Sequence, residues 1–505
     1  MMLGTWSRRS VLAGLGRTAL GALGAAAGGS LLAACGAATG SSPQATVAAA
    51  APTSSVSIVN TTVSSAIAAS PTSAAAAAPG KGKIALRWST WGDAQNPFAQ
   101  AATQGLQIFQ QQHPEIAVTP EDQGAANFVD KMTTEMVSGD APDIIGQCCT
   151  TLPNWTRKGL VLPLDSYINR DYKTEQIKDF EQLQWSFFHD PKQGQFAFPM
   201  YMGIFALAYN KDRFQATGVA VPTNDWDWQN FQDAMLKLTD PSQKKWGMNT
   251  IGAGSTWYQF IHQNGGSPVD PNDDTKCTVD SPAALEATQW LHDRYWVDKS
   301  IIPNDQKTAG TTDDQRFKNG ATAMYGLGSW YITRLIKAVG PDMQWDAFPL
   351  PKGKVMRSTL ATTDGWVIFK GSPHPAESWT LMKFLQADDW WTINMAVTGQ
   401  QPARASLQDK WIAQIVKGNP VLADKNLKAF TVANTENYGR AVDIFHDDPP
   451  ATKALNDAYL KTVQLNQADV TSTMREVAAQ VTQIEQVSSK QGANVGDPCA
   501  CLTTT

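Results

Sequence analysis

Ten side chains of this sequence have the types that a binding cleft uses, flat aromatic faces beside hydrogen-bonding and charged groups. Trp91 and Asp93 leave the end of Ile84-Ala-Leu-Arg-Trp-Ser-Thr-Trp-Gly-Asp93, and Gln147 and Thr150 leave Asp143-Ile-Ile-Gly146. Trp257 opens Trp-Tyr-Gln-Phe-Ile-His-Gln-Asn-Gly-Gly266, and Trp330 closes Gly320-Ala-Thr-Ala-Met-Tyr-Gly-Leu-Gly-Ser-Trp330. Asp364 and Trp366 stand in Asp364-Gly-Trp-Val-Ile368, Arg404 ends Gly399-Gln-Gln-Pro-Ala-Arg404, and Tyr438 follows Asn437. Sugar rings offer C–H faces to aromatic plates, and their hydroxyls need paired donors and acceptors. Closing such a site to water strengthens those hydrogen bonds. Structural alternatives stay open for several. Trp91 and Asp93 also read as a core tryptophan and a helix cap, and Gln147 and Thr150 as ordinary loop residues. Trp257 also reads as core, and Arg404 as one half of a salt bridge. Trp390 and Trp391 fall on a helix, with at least one buried.

The elements that must position these residues follow from periodicity. Ile84, Leu86 and Trp88 mark a buried strand. Phe98, Ala102, Gly105, Leu106 and Phe109 recur at helical spacing behind Pro97. Ile116–Thr119 is a short strand, Phe128, Val129, Met132, Met136 and Val137 line a second helix, and Asp143–Gly146 is a third strand. This β-α-β-α-β order builds a parallel sheet with right-handed crossovers, and ligands in such sheets lie beyond the carboxyl ends of the strands. Phe196–Tyr209 is then nearly all apolar, before Asn210-Lys-Asp-Arg-Phe214 turns into a helix.

Everything before residue 80 delivers this body to a place. Residues 1–34 hold Arg8, Arg9 and Arg17, no acidic residue, and a mostly apolar or small stretch, the layout of an export signal. Ser7-Arg-Arg-Ser-Val-Leu12 resembles a twin-arginine signal, with Val11 where phenylalanine is more usual. Leu32-Ala-Ala-Cys35 is similar to a lipobox, whose cysteine carries lipid. The apolar run is diluted by glycine, too weak for a permanent span of about 20 apolar residues. Residues 36–80 have no charged side chain and read as a disordered tether of Ala, Ser, Thr and Pro, reaching roughly 37 Å. The remaining body, about 420 residues, exceeds one core and calls for two lobes. Without the three signal arginines, 38 basic residues face 46 acidic ones, a net charge of −8. That argues against nucleic acid as a partner. Some of the 18 tryptophans are core, but so many point to a surface that uses flat apolar faces. Among the six cysteines, neighbouring Cys148 and Cys149 are poorly placed to bond each other, and the connectivity of Cys148, Cys149, Cys277, Cys499 and Cys501 is open.

Taken together, strand-Trp-Gly-Asp93, Ala141-Pro-Asp-Ile-Ile145, Pro199–Arg213, Trp226-Asp-Trp-Gln-Asn-Phe231, Trp257–Gly266, Gly320–Trp330, Asp364–Ile368 and Gly399–Arg404 resemble, in order and spacing, a family 1 extracellular solute-binding protein. These are sugar-capturing subunits of ABC importers, similar in plan to maltose-binding protein. The resemblance spans about residues 84–490. It implies an α/β, two-lobed, type II periplasmic-binding-protein-like fold, each lobe a mainly parallel sheet flanked by helices. Lobe 1 would take 84–204 and 366–402, and lobe 2 would take 205–365 and 403–495, with residues 496–505 a flexible tail. Crossings near Gly203, Gly365 and Ala403 would form the hinge. It implies a monomer without cofactor, metal or catalysis, held by lipid on Cys35 at the outer face of the cytoplasmic membrane. Its partners would be a sugar or oligosaccharide, an ABC permease and the ATPase subunits. Two other readings stay open: a non-sugar solute, such as a polyamine or a glycerol-phosphate type, and a tethered carbohydrate-active hydrolase. No Walker A, Gly-x-Ser-x-Gly or His-Glu-x-x-His occurs, and the six histidines lack metal-ligand spacing. Asp270-Pro-Asn-Asp-Asp274 lacks the spacing of a calcium loop and reads as a solvated turn.

Overall fold

The computed structural model describes residues 83–91, 97–123, 127–148, 150–307 and 310–495. Cys35, the export segment, the tether, Asp93, Cys149, Cys499, Cys501 and the side chain of Trp91 lie outside the described residues. The chain opens with β1 (Ile84–Trp91), α1 (Pro97–Gln112), β2 (Ile116–Gln123), α2 (Phe128–Ser138), β3 (Ile144–Cys148) and α3 (Thr151–Arg157). β1 runs parallel to both β2 and β3. β2 continues past Thr119, through Pro120, to Gln123. It is the edge strand of its sheet, paired on one side only, and such a strand tolerates proline.

Then come β4 (Phe198–Tyr201), β5 (Phe205–Asn210), β6 (Trp246–Met248), β7 (Thr322–Gly328), β8 (Trp345–Phe348) and β9 (Asp364–Ile368). They complete two sheets, one for each lobe, ordered β2-β1-β3-β9-β4 and β8-β5-β7-β6. Each sheet is parallel except for one strand, β9 in the first and β5 in the second. These are the strands that enter from the other sheet. A chain arriving by a short link enters at the near edge and runs against its neighbours, whereas a parallel neighbour needs a long crossover.

That link also brings the two carboxyl edges together. Tyr201 ends β4, and Phe205 begins β5 opposite Gly328, the last residue of β7. Asp364 begins β9 opposite Cys148 and Tyr201. Between the sheets, Met202 N–H donates to Gln401 O at 2.9 Å, Thr362 N–H to Gly203 O at 2.7 Å, and Gly203 N–H to Thr362 Oγ1 at 2.9 Å. Gln184 Nε2 donates to Tyr201 O and Thr362 O at 2.8 and 2.6 Å. At Gly203 the requirement is space, since an added Cβ would fall 2.3 Å from the Trp330 ring. At Gly365, within β9, it would fall 2.9 Å from Phe188.

The tryptophans fill the core more than the surface. Among the described residues, nine tryptophans have less than 2 % of their area exposed: Trp88, Trp155, Trp257, Trp345, Trp366, Trp379, Trp390, Trp391 and Trp411. Trp366 packs against Trp88 (ring centroids 5.4 Å apart) and Phe98 (5.9 Å), and Trp390 closes the same cluster at 5.8 Å from Trp88. Two glycines make the room. An added Cβ at Gly146 would lie 2.4 Å from Trp366, and one at Gly105 2.7 Å from Trp390. No helix among the described residues is long and apolar enough to cross a membrane.

Candidate ligand cleft

The carboxyl edge of the second sheet carries a pocket of about 180 Å³. Phe205 begins β5 there, Met248 ends β6, and Tyr325 and Gly326 stand near the end of β7. Phe205 is half-buried, its ring laid over Gly326, where a Cβ would fall 2.7 Å away. Thr250 comes from the loop after β6, and Thr256 from the first turn of α4 (Ser255–Gln263), which that loop enters. Gly254 caps that helix at φ +64°, a backbone that favours glycine. Polar groups are set among the rings. Thr250 Oγ1 is buried without a hydrogen-bond partner among the described residues. Asp313 lines the pocket and pairs with Arg316. Tyr325 donates its hydroxyl to Asp314 at 2.7 Å; burial, and then that bond, push its ionisation far above the ordinary range. Half-buried and buried aromatic faces beside the unpartnered Thr250 hydroxyl suit a neutral, polyhydroxylated ring.

The first lobe brings Asp364 to its own carboxyl edge. The residue is buried, and burial pushes its carboxyl up to about 7 against the hydrogen bonds of Thr362 and Tyr201. Its Oδ2 has no partner among the described residues. Gln147 stands beside it in β3, buried and in register with Gly365. Trp330 follows the end of β7, half-buried, with its ring against both Gly203 and Gly328. Asp364 and Trp330 thus converge on the link, each close to Thr362.

Thr150 joins the lobes directly. Its Oγ1 donates to Asp448 Oδ2 at 2.6 Å, and Asp448 begins α5 (Asp448–Tyr459), packed in the second core. One helix later in the first lobe, Arg157 donates to Phe445 O, His446 O and Asp274 Oδ2 at 2.9, 2.8 and 2.7 Å. The segment around Asp274 is therefore not a free turn. It forms a two-stranded hairpin, Val269–Asp270 with Asp273–Cys277, whose carboxylate docks the other lobe.

A second cavity, of about 670 Å³, is lined by His262 from α4, by Arg357, by Tyr438 and Arg440, and by Leu183 of the first lobe. The Arg357 guanidinium lies 5.3 Å from the Tyr438 ring centroid. Tyr438 is buried, and burial pushes its hydroxyl well above the ordinary value.

Three of the expected contacts are structural. Trp366 is wholly buried in the first core, because the alternation of β9 turns it to the Gly146 side. Trp257 is wholly buried in the second; its Nε1 donates to Thr288 Oγ1 at 2.9 Å and its ring packs on Tyr459. Arg404 has its donors engaged by Asp179 (2.8 Å), Asp388 (2.7 Å) and Gln386 O (3.2 Å). Sequence reasoning passed over Phe205, Thr250, Thr256, Asp313 and Tyr325. The loop carries a signal in the sequence, since Gly252-Ala-Gly254 follows a strand and leads into a helix, and its neighbour Trp257 is the larger candidate there.

Residues 88–390 match the family model described as bacterial extracellular solute-binding protein. An uncharacterized lipoprotein of Streptomyces antibioticus is 24 % identical over 379 residues, 69 % of this chain and 82 % of the relative. Among solved structures, the chain is similar to an ABC substrate-binding protein of Listeria monocytogenes in complex with cycloalternan. The TM-score is 0.69 and the identity 21 %, over 80 % of this chain and 99 % of that one. It is also similar to the sugar-binding protein MalE of Xanthomonas citri, with a TM-score of 0.66 and 18 % identity, over 82 % of this chain and all of the other. At these identities the likeness is one of fold.

Proposed function

The chain belongs to the bacterial extracellular solute-binding proteins, and from that premise we propose that it captures a sugar or oligosaccharide between its lobes and delivers it to the permease of an ABC importer. One observation carries the sugar assignment: the pocket at the carboxyl edge of the second sheet sets Phe205 and Tyr325 beside Thr250, Thr256 and Asp313. Two solved structures of the same fold are named for sugar ligands, which supports the same class. Asp364, Gln147 and Trp330 supply the first-lobe and link side of the site. The contact is completed when both lobes meet around the solute, so closure is a population shift driven by differential binding. The chain does no chemistry of its own in this reading. In this reading, lipid on Cys35 and the uncharged segment after it hold the body outside the cytoplasmic membrane, within reach of the permease.

A thermal-shift screen of the mature chain tests this. A ligand at 100 times its Kd adds about 2.7 kcal/mol of stability, a readily measured rise in Tm. Neutral mono- and oligosaccharides are expected to raise it. A response to polyamines or peptides with silence across all carbohydrates overturns the sugar assignment, and release of reducing ends on incubation overturns the binding-only reading.

A further inference from the structure

The second cavity differs in chemistry from the aromatic pocket. Lys352, Arg357 and Arg440 line it against Glu436 and Asp443. Two of these charges are already engaged: Lys352 Nζ lies 3.0 Å from Asp225, and Asp443 Oδ2 lies 2.9 Å from His262 Nε2. The two guanidiniums are different. Arg357 donates Nη2 to the Asn224 carbonyl and rests over Tyr438, and its Nε is buried without a hydrogen-bond partner among the described residues. Among the described residues, the Arg440 side chain has one hydrogen bond, Nη2 to Met356 Sδ at 3.0 Å. Neither has a carboxylate of a described residue at ion-pair distance. Elsewhere in the chain, Arg87, Arg157, Arg294 and Arg404 each have one. Each guanidinium spends Nη2 on a neutral acceptor and has no carboxylate partner, so its remaining N–H donors and its charge stay available to a planar or tetrahedral oxyanion at the cavity.

We propose that Arg357 and Arg440 form a subsite for an anionic group carried by the solute, the carboxylate of an acidic sugar or a phosphate ester. This rests on the reading of the chain as a sugar receptor and narrows it: the preferred ligand is a charged carbohydrate. The neutral ring lies in the aromatic pocket beyond α4, whose opposite ends reach both cavities through Thr256 and His262. Leu183 places the first lobe at the rim, so closure covers the bound anion.

Calorimetry on the mature chain at low and moderate salt tests it with four probes: maltotriose, trigalacturonate, glucose 1-phosphate and glycerol 3-phosphate. One of the acidic sugars is expected to bind more tightly than maltotriose and to lose affinity as salt rises. Trigalacturonate against glucose 1-phosphate tells carboxylate from phosphate. Arg440→Gln is expected to weaken the acidic sugar about ten- to hundredfold, the usual worth of a hydrogen bond to a charged group, and to spare maltotriose. Arg440→Lys keeps the charge without the fork and should recover only part of that loss. Unchanged Tm of both variants without ligand checks the fold. Maltotriose binding as tightly as the acidic sugars overturns the subsite and leaves the sugar receptor standing. So does an acidic preference that Arg440→Gln does not move. Glycerol 3-phosphate binding, lost in Arg440→Gln while every sugar is silent, upholds the anion subsite and overturns the sugar assignment. Silence of all four probes overturns both.

Discussion

The Thr150 hydroxyl, at the start of a first-lobe helix, donates to the Asp448 carboxylate of the second lobe at 2.6 Å. Asp448 is buried, and burial holds its carboxyl above the ordinary range. Together with Arg157 on Asp274 and on the carbonyls of Phe445 and His446, this bond joins the lobes through the protein alone.

Removing that bond is expected to favour the open form. A hydrogen bond to a buried charged partner is worth about 1.5–3 kcal/mol. Thr150→Ala should therefore lower apparent ligand affinity about tenfold and enlarge the radius of gyration measured by small-angle scattering without ligand. Arg157→Ala should add to both effects. Unchanged scattering and affinity in the double variant would show that the lobes are held by other contacts.

Asp364 makes stability depend on pH. Its carboxyl is raised from an ordinary value near 3.8 to about 7, so the folded state holds the proton more tightly than the unfolded chain. The stabilisation is full below about pH 4 and is lost as pH rises through about 7. Asp364→Asn should remove this slope, so that Tm at pH 5 and at pH 8 differ less than in the parent. Glu181 and Glu485 are raised in the same direction, which makes the difference between parent and variant the informative quantity. A slope equal to the parent's would refute the assignment.

Gly203 and Trp330 are expected to act as one unit. A methyl at Gly203 would fall 2.3 Å from the ring and force it from its seat. Gly203→Ala should cost about 1–3 kcal/mol of stability by overpacking. It should also weaken ligand binding as Trp330→Ala does, with the double variant little worse than either. Additive losses would separate the two roles.

Trp366 and Phe205 should part company in assays. Trp366→Ala opens a cavity in the first core and should cost about 3–5 kcal/mol. Phe205→Ala, at a half-buried position in the pocket, should leave Tm closer to the parent and raise Kd for the sugar. A Trp366→Ala protein with parental Tm and lost binding would reverse this division.

Arg404→Ala is expected to lower Tm while sparing affinity, because its guanidinium ties Asp179 to Asp388 within the described body.

What the sequence determined by itself was the order of the elements and the family. Alternation at Ile84, Leu86 and Trp88, helical spacing from Phe98 to Phe109, and motifs in register from Trp88 to Arg404 are local patterns, and local patterns survive without a partner. The strand through Pro120 was harder to see, because only its place at the sheet edge excuses the proline. Tertiary structure alone decided which polar and aromatic residues reach the cleft. Trp257, Trp366 and Phe205 all stand near strand ends or crossings, yet two are core and one is a plate. The choice was made by distant residues: Gly146 clears space for Trp366, Thr288 accepts from Trp257, and Gly326 offers its bare backbone to the Phe205 ring. The same holds for the bond between Thr150 and Asp448, 298 residues apart. Burial and cross-lobe contact are properties of the folded surface, and no spacing along the chain encodes which side of it a side chain will meet.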